Sequence, residues 1–252
     1  MTELVHLDVA DGIGTITLDS QENRNALSVQ LMSELIAHLR SCAEDPAVRA
    51  IVLTHAGKVF CAGADLKAAS TGGMNSGSQM IEMLRTIAST PKPVIVLARG
   101  PVRAGGLGIV GAADIAIVAD DQTFAFTEAR LGLTPAIISL TTLPVMDKRL
   151  ASRWYLTGET FSGADAERSG LVSRAVPADQ LDAVLRETLD GLLQASPQGL
   201  AKTKELLGRE LVAHLDEHGA AMVELSESLF GSEEAREGML AFREKRKPAW
   251  QQ

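Results

Sequence analysis

The sequence predicts an α/β protein whose carboxy-terminal region is entirely helical. Short continuous apolar runs at Ala50 to Leu53, Val94 to Ala98 and Ile115 to Val118 alternate with segments of helical periodicity. That is the pattern of a parallel sheet covered on both faces. From about residue 190 onward, apolar residues recur only at helical spacing. An α/β core is therefore expected over residues 1–190 and a helical region over 191–252.

The elements follow in order. Leu4 to Val9 and Ile13 to Leu18 alternate in polarity around Asp11-Gly12, which predicts a β-hairpin. Ser28 suits the cap of a helix that buries Leu31, Leu35, Ile36 and Leu39, and Asp45-Pro46 breaks the chain before the first buried strand. Met80, Met83, Leu84 and Ile87 place a helix over 78–88, which Pro91-Lys92-Pro93 ends. Gly105 to Ala113 reads as a helix of small residues. Val172 to Val176 reads as a last strand, and Leu181 to Leu193, Pro197 to Leu207 and Leu215 to Phe230 as helices.

Composition narrows the function. A chain of 252 residues, 46% apolar and 22% charged, is long enough for one full domain with a sizeable core. A net charge of −8 argues against general affinity for nucleic acid or an anionic membrane. Cys42 and Cys61 are too few for a disulfide framework and lack zinc-site spacing, so a reducing cytoplasm is expected. Met1 to Ala10 lacks the pattern of a signal peptide, and no apolar stretch reaches the roughly 18 residues of a membrane helix.

Three segments offer chemistry. Phe60 to Lys67 follows a buried strand; its small residues allow close backbone approach, and Gly63 admits dihedrals closed to other residues. The same loop could equally be a simple turn. Arg103 to Gly108 precedes a helix start, where unsatisfied N–H groups favour a developing oxyanion. Its Gly106-Leu107-Gly108-Ile109-Val110-Gly111 also matches a dinucleotide-binding pattern, but Gly100 to Gly105 separate it from the strand it should follow directly. In the third segment, Glu128 follows the apolar run Phe124 to Phe126. Desolvation there would raise its pKa into the range for proton transfer; from the residues alone, a surface acid capping a turn is the preferred reading. His214 and His218 have metal-ligand spacing without the zinc-protease pattern, and a solvated helix face accounts for them.

Taken in order, Asn23-Arg24-Asn25-Ala26-Leu27, Phe60 to Lys67, the glycine turn, Asp114, Glu128, Leu131-Gly132 and Thr157-Gly158-Glu159 through Gly170-Leu171-Val172 resemble the crotonase superfamily, the enoyl-CoA hydratase/isomerase family, over nearly the whole chain. The resemblance implies a spiral of ββα units, with the helical region 191–252 serving trimerisation in a homotrimer or homohexamer. It implies an enoyl-CoA hydratase, a lyase that adds water to a 2-enoyl-CoA through an enolate. The acyl-CoA is the substrate, with coenzyme A part of it and no separate cofactor or metal. On that resemblance the N–H groups of Ala64 and Gly105 form the oxyanion hole and Glu128 moves the proton. Arg24, Ala26, Ala62, Asp65, Leu66 and Lys67 hold the CoA, together with Phe242 and Lys245, often from a neighbouring subunit.

Two positions depart from the family pattern. Family hydratases commonly carry two glutamates, and the first falls on Gly108. This opens two alternatives, a Δ3-Δ2-enoyl-CoA isomerase using Glu128 alone and a non-catalytic acyl-CoA-binding homologue. Arg103 occupies a slot usually small or apolar, where it could pair a substrate carboxylate, face outward or bridge subunits.

Overall fold

A computed structural model of the chain describes residues 2–64 and 76–251. Strands β1 (Val5–Ala10) and β2 (Ile13–Leu18) form the expected hairpin, Val5 facing Leu18 and Ala10 facing Ile13. Asp11 (φ 51°) and Gly12 (φ 83°) supply the two positive φ angles that a tight hairpin turn of matching twist requires. Helix α1 (Val29–Glu44) is capped by the Ser28 hydroxyl, which accepts from the Leu31 N–H at 3.2 Å.

The main sheet continues through β3 (Ala50–His55), β4 (Val94–Ala98), β6 (Ile115–Ala119) and β9 (Arg174–Val176) in the order β1-β2-β3-β4-β6-β9, parallel from β2 onward. A smaller sheet joins β5 (Val102–Arg103), β7 (Thr123–Ala125) and β8 (Phe161–Ser162) in the order β5-β7-β8. The apolar runs are continuous because both faces of the main sheet are buried. Ile51, Leu53, Val94, Val96 and Val118 enter the larger core, while Val52, Ile95, Leu97 and Ile117 enter a second one with Leu181. Each such side chain contributes roughly 1.5–3 kcal/mol when fully buried.

Helix α2 (Ser76–Ser89) and the small-residue helix α3 (Gly105–Ala112) cover the larger core, together with α4 (Ala136–Thr142), α5 (Lys148–Thr157) and α6 (Gly163–Arg168). Helix α7 (Leu181–Gln194) runs through the expected junction at residue 190 and packs on β3 and β6. The two helical segments expected over 197–207 and 215–230 are one helix, α8 (Pro197–Phe230), because the lone Gly208 between them does not break the turn. Helix α9 (Glu233–Glu244) follows, capped by Ser232.

A buried lysine that the sequence reading did not mark locks α8 to the sheet. Lys204 Nζ donates to Ile87 O (2.9 Å) at the end of α2, to Lys92 O (3.0 Å) and to Asp114 Oδ2 (2.7 Å), and that carboxylate also accepts from the Val94 N–H (2.7 Å). All three ammonium hydrogens are thus matched in a site where burial pulls the Lys204 pKa down. Lys204→Ala is expected to lower the unfolding free energy by about 3 kcal/mol, because it strands Asp114 and two carbonyls. Denaturant titration checks this; a loss under about 1 kcal/mol would assign the lock to packing alone.

Candidate active site

Three loops are laced together by main-chain hydrogen bonds at one end of the small sheet. Ala62 N donates to Arg24 O (3.1 Å), Leu27 N to Gly63 O (2.8 Å), Phe60 N to Pro101 O (3.1 Å) and Arg103 N to Cys61 O (2.9 Å). Asn25 sets the first loop on the second. It is 1% exposed, its Oδ1 accepts from Ser20 N (2.7 Å), and its Nδ2 donates to Ala56 O (3.2 Å) and Val59 O (2.8 Å). A buried amide satisfied on both ends fixes one geometry. Arg24, Ala26, Ala62 and Ala64 thereby fall within one laced cluster. Asp65, Leu66 and Lys67 lie outside the described residues.

The amides of Ala64 and Gly105 are brought side by side. A Cβ built on Gly63 (φ 98°) would lie 2.8 Å from Ala104 Cβ and 3.7 Å from Gly105 N, and one built on Gly105 would lie 3.7 Å from Ala64 N. Among the described residues, neither the Ala64 nor the Gly105 N–H donates a hydrogen bond. Ala104, the residue before α3, sits at φ 44° and ψ −117°, a conformation costing about 1–3 kcal/mol for a non-glycine residue. That strain orients the first amide of the helix, which carries the positive end of its dipole. Leu27 and Met80 reach over the same amide, so its surroundings are apolar.

Glu128 emerges at the same end. Strands β5 and β7 are parallel, pairing Val102 with Phe124 and Arg103 with Ala125. The chain therefore leaves β5 toward Gly105 and β7 toward Glu128 in the same direction. Glu128 begins a short 3-10 turn, Glu128–Leu131; the residue is partly exposed, but its Oε2 is inaccessible and has no hydrogen-bond partner among the described residues. Burial pushes the carboxyl up to about 7, partly offset by bonds from nearby main-chain N–H groups. The inward carboxyl sets aside the reading of a surface acid.

Three features hold the turn. Arg130 Nε donates to Thr157 O (2.7 Å), Gly132 (φ 72°) closes the turn, and α9 lies across it. The approach of α9 needs two glycines: a Cβ on Gly132 would meet Glu234 C at 2.6 Å, and one on Gly238 would meet Leu131 C at 2.5 Å. Beside the carboxyl, Tyr155 packs at a tilt against Phe126 (4.2 Å between centroids) and its hydroxyl lies 2.5 Å from Thr142 Oγ1. Thr142 gives its own hydrogen to Ile138 O (2.7 Å), so Tyr155 donates to Thr142. The Glu128 charge adds to burial in raising the Tyr155 pKa, so that phenol stays neutral.

Other expectations resolve differently. Arg103 neither faces outward nor stands free for a substrate carboxylate. Its guanidinium donates to Val102 O (2.9 Å), Thr123 O and Thr123 Oγ1 (2.7 Å), cross-linking β5 to β7, because a half-buried cation takes the nearest strand acceptors. The dinucleotide-like glycines lie inside α3, where Gly111 admits the Thr141 carbonyl, so they serve packing. Phe242 (67% exposed) and Lys245 end α9 on the surface, and among the described residues no hydrogen bond joins them to the 24–64 cluster.

The profile of the family described as enoyl-CoA hydratase/isomerase matches residues 8–252. The chain belongs to the enoyl-CoA hydratase/isomerase family. Its relatives include the Mycobacterium bovis protein named "Probable enoyl-CoA hydratase echA8", 35% identical over 94% of this chain and 93% of that one. The carnitinyl-CoA dehydratase of Escherichia coli O157:H7 is 32% identical over 99% of both chains. The crystal structure of an enoyl-CoA hydratase from Mycobacterium avium superposes with a TM-score of 0.93 at 44% identity, covering 99% of this chain and 100% of that one. The fold is thus that of the crotonase-type enzymes, and the protein is an enzyme of this family. Among the described residues no helix is long and apolar enough to cross a membrane.

The amide pair makes Gly63 a sensitive position. Gly63→Ala is expected to lose about 1–3 kcal/mol, since it combines an unfavourable φ with contact on Ala104, whereas Ala104→Gly should be neutral or stabilising. Thermal unfolding of the two variants beside the parent protein measures the contrast, and equal shifts would contradict it.

Proposed function

We propose that the protein binds an acyl-CoA thioester, holds its carbonyl oxygen between the Ala64 and Gly105 N–H groups, and uses Glu128 as its proton carrier. The observation that carries this is the buried Glu128 Oε2, without a hydrogen-bond partner among the described residues and set at the same strand ends as two amides likewise free of hydrogen bonds among them. Two fixed donors stabilise the negative charge that develops on the oxygen when a proton leaves the neighbouring carbon, and the low-dielectric surroundings strengthen that effect. A carboxyl near 7 is present in both protonation states at neutral pH, as a group that takes and returns a proton must be.

Within this reaction class the geometry best supports migration of a double bond between 3-enoyl-CoA and 2-enoyl-CoA. Glu128 takes a proton from C2, the dienolate oxygen rests on the two amides, and the same proton returns to C4. One carboxyl suffices. Addition of water to a 2-enoyl-CoA is the second reading, favoured by the hydratase and dehydratase names of the relatives. It needs a further group to hold the water. The CoA is held by the main chain around Arg24, Ala26 and Ala62, and by Asp65, Leu66 and Lys67, which follow in sequence. Phe242 and Lys245 would be supplied by a neighbouring copy in a homotrimer or homohexamer, a reading supported by exposed Leu206 and Leu207 on α8 and Phe242 on α9.

Glu128→Gln is expected to reduce turnover by about a thousandfold while the affinity for a CoA ester stays within about threefold. Steady-state rates with 2-enoyl-CoA and 3-enoyl-CoA, alongside calorimetric binding, make the test, and an unchanged rate would end the proposal. Because burial raises the carboxyl to about 7 and the charged form must accept the first proton, kcat/KM for 3-enoyl-CoA should rise with pH through about 7 and fall below it. A flat pH profile from 6 to 8, taken as about one unit either side of that value, would contradict the assignment.

A further inference from the structure

The place one helical turn beyond the Gly105 amide is filled by a single branched side chain. A Cβ on Gly108 would lie 2.7 Å from Ile138 Cγ2, 3.2 Å from Ile138 Cβ and 3.4 Å from Leu84 Cδ2. Cγ2 is bonded directly to Cβ, so it moves only with χ1, which is stiff for a β-branched residue in a helix. Helix α4 cannot easily withdraw. Thr141 Oγ1 donates to Gly108 O (3.0 Å), and the Thr141 carbonyl lies where a Cβ on Gly111 would stand at 2.7 Å. One turn further along α4, Thr142 receives the Tyr155 hydroxyl beside Glu128. Ile138 therefore packs on the Gly105–Gly108 turn from the same helix that carries Thr142, the partner of Tyr155, and it is only 3% exposed.

We propose that Ile138 determines which reaction the site performs: its side chain occupies the space beside Gly108 where a water molecule would have to be held, and so restricts the enzyme to moving a proton. This rests on Glu128 being the proton carrier. In double-bond migration the C2–H bond breaks and a C4–H bond forms, the double bond moves from C3–C4 to C2–C3, and nothing is added. Hydration forms a C–O bond at C3 and a C–H bond at C2 from one water, which must first be bound. A bound water needs two to four polar partners, and the Ile138 and Leu84 side chains offer none. Replacing Gly108 alone cannot create such a site, because the new side chain would run into Ile138.

The test compares the parent protein with Ile138→Ala, Gly108→Glu and the double variant, using 3-enoyl-CoA in deuterium oxide and 2-enoyl-CoA in ordinary water. With the wall intact, the migrated product should carry mostly the original hydrogen at C4. Ile138→Ala should raise deuterium at C4 by about threefold or more while migration stays within about tenfold. The double variant should add water about tenfold faster than either single variant. Unchanged deuterium content in an Ile138→Ala protein that still migrates the double bond would overturn the proposal, as would Gly108→Glu hydrating as fast as the double variant. Should the double variant fail to fold, the deuterium content of Ile138→Ala decides alone. A parent protein that migrates no double bond would instead remove the migration reading of the site, and this inference with it.

Discussion

Everything in the site depends on keeping one carboxyl out of water with no opposite charge beside it among the described residues. A buried charge is costly unless paired, so an unpaired Glu128 responds by holding its proton more tightly. Burial lifts it to about 7, where a carboxyl can both take and return a proton near neutrality. The protein sustains that burial from several sides: Phe126 and Tyr155 give an aromatic wall, Arg130 anchors the turn to the end of α5, and α9 closes over it through Gly132 and Gly238. The aromatic wall extends to Phe161, which stacks on Trp154 at 3.8 Å. Loosening any of these admits water and returns the carboxyl to ordinary acidity.

Opposite it, the amides of Ala64 and Gly105 are placed by backbone geometry rather than by side chains. Gly63 at φ 98° lets the first loop touch the second, and Ala104 accepts a strained conformation that turns the α3 amide outward. Such strain persists only where surrounding structure over-determines it. Here the over-determination is the lacing of residues 24–27, 60–64 and 101–105, with the buried Asn25 as its fixed point. Lys204 does the corresponding task at the other end of the molecule, tying the long α8 to the sheet.

Much of this was legible in the residues, and the reasons for the rest are physical. The hairpin, the buried strands and the helices α1 and α7 announce themselves through period and punctuation, such as Asp11-Gly12 and the Ser28 cap. Gly63, Gly105 and Glu128 carried recognisable local chemistry, and the family resemblance said which of their possible uses to expect. Strands β5 and β8 are two residues each and leave no periodic trace. Helix α8 looked like two because its middle is polar on the outside, and continuity depended on packing against α2 and α4. Lys204 resembles any helix lysine until three distant acceptors converge on it. Ile138 likewise reads as ordinary core; only the close contact that a Cβ on Gly108 would make with it sets it apart.

The most direct test of the account is a crystal structure with an unreactive acyl-CoA thioester bound. The account predicts the thioester oxygen about 3 Å from both the Ala64 and Gly105 nitrogens, with the Glu128 carboxyl against the carbon next to the carbonyl. An oxygen bonded elsewhere, or a Glu128 carboxyl turned away from that carbon, would contradict it.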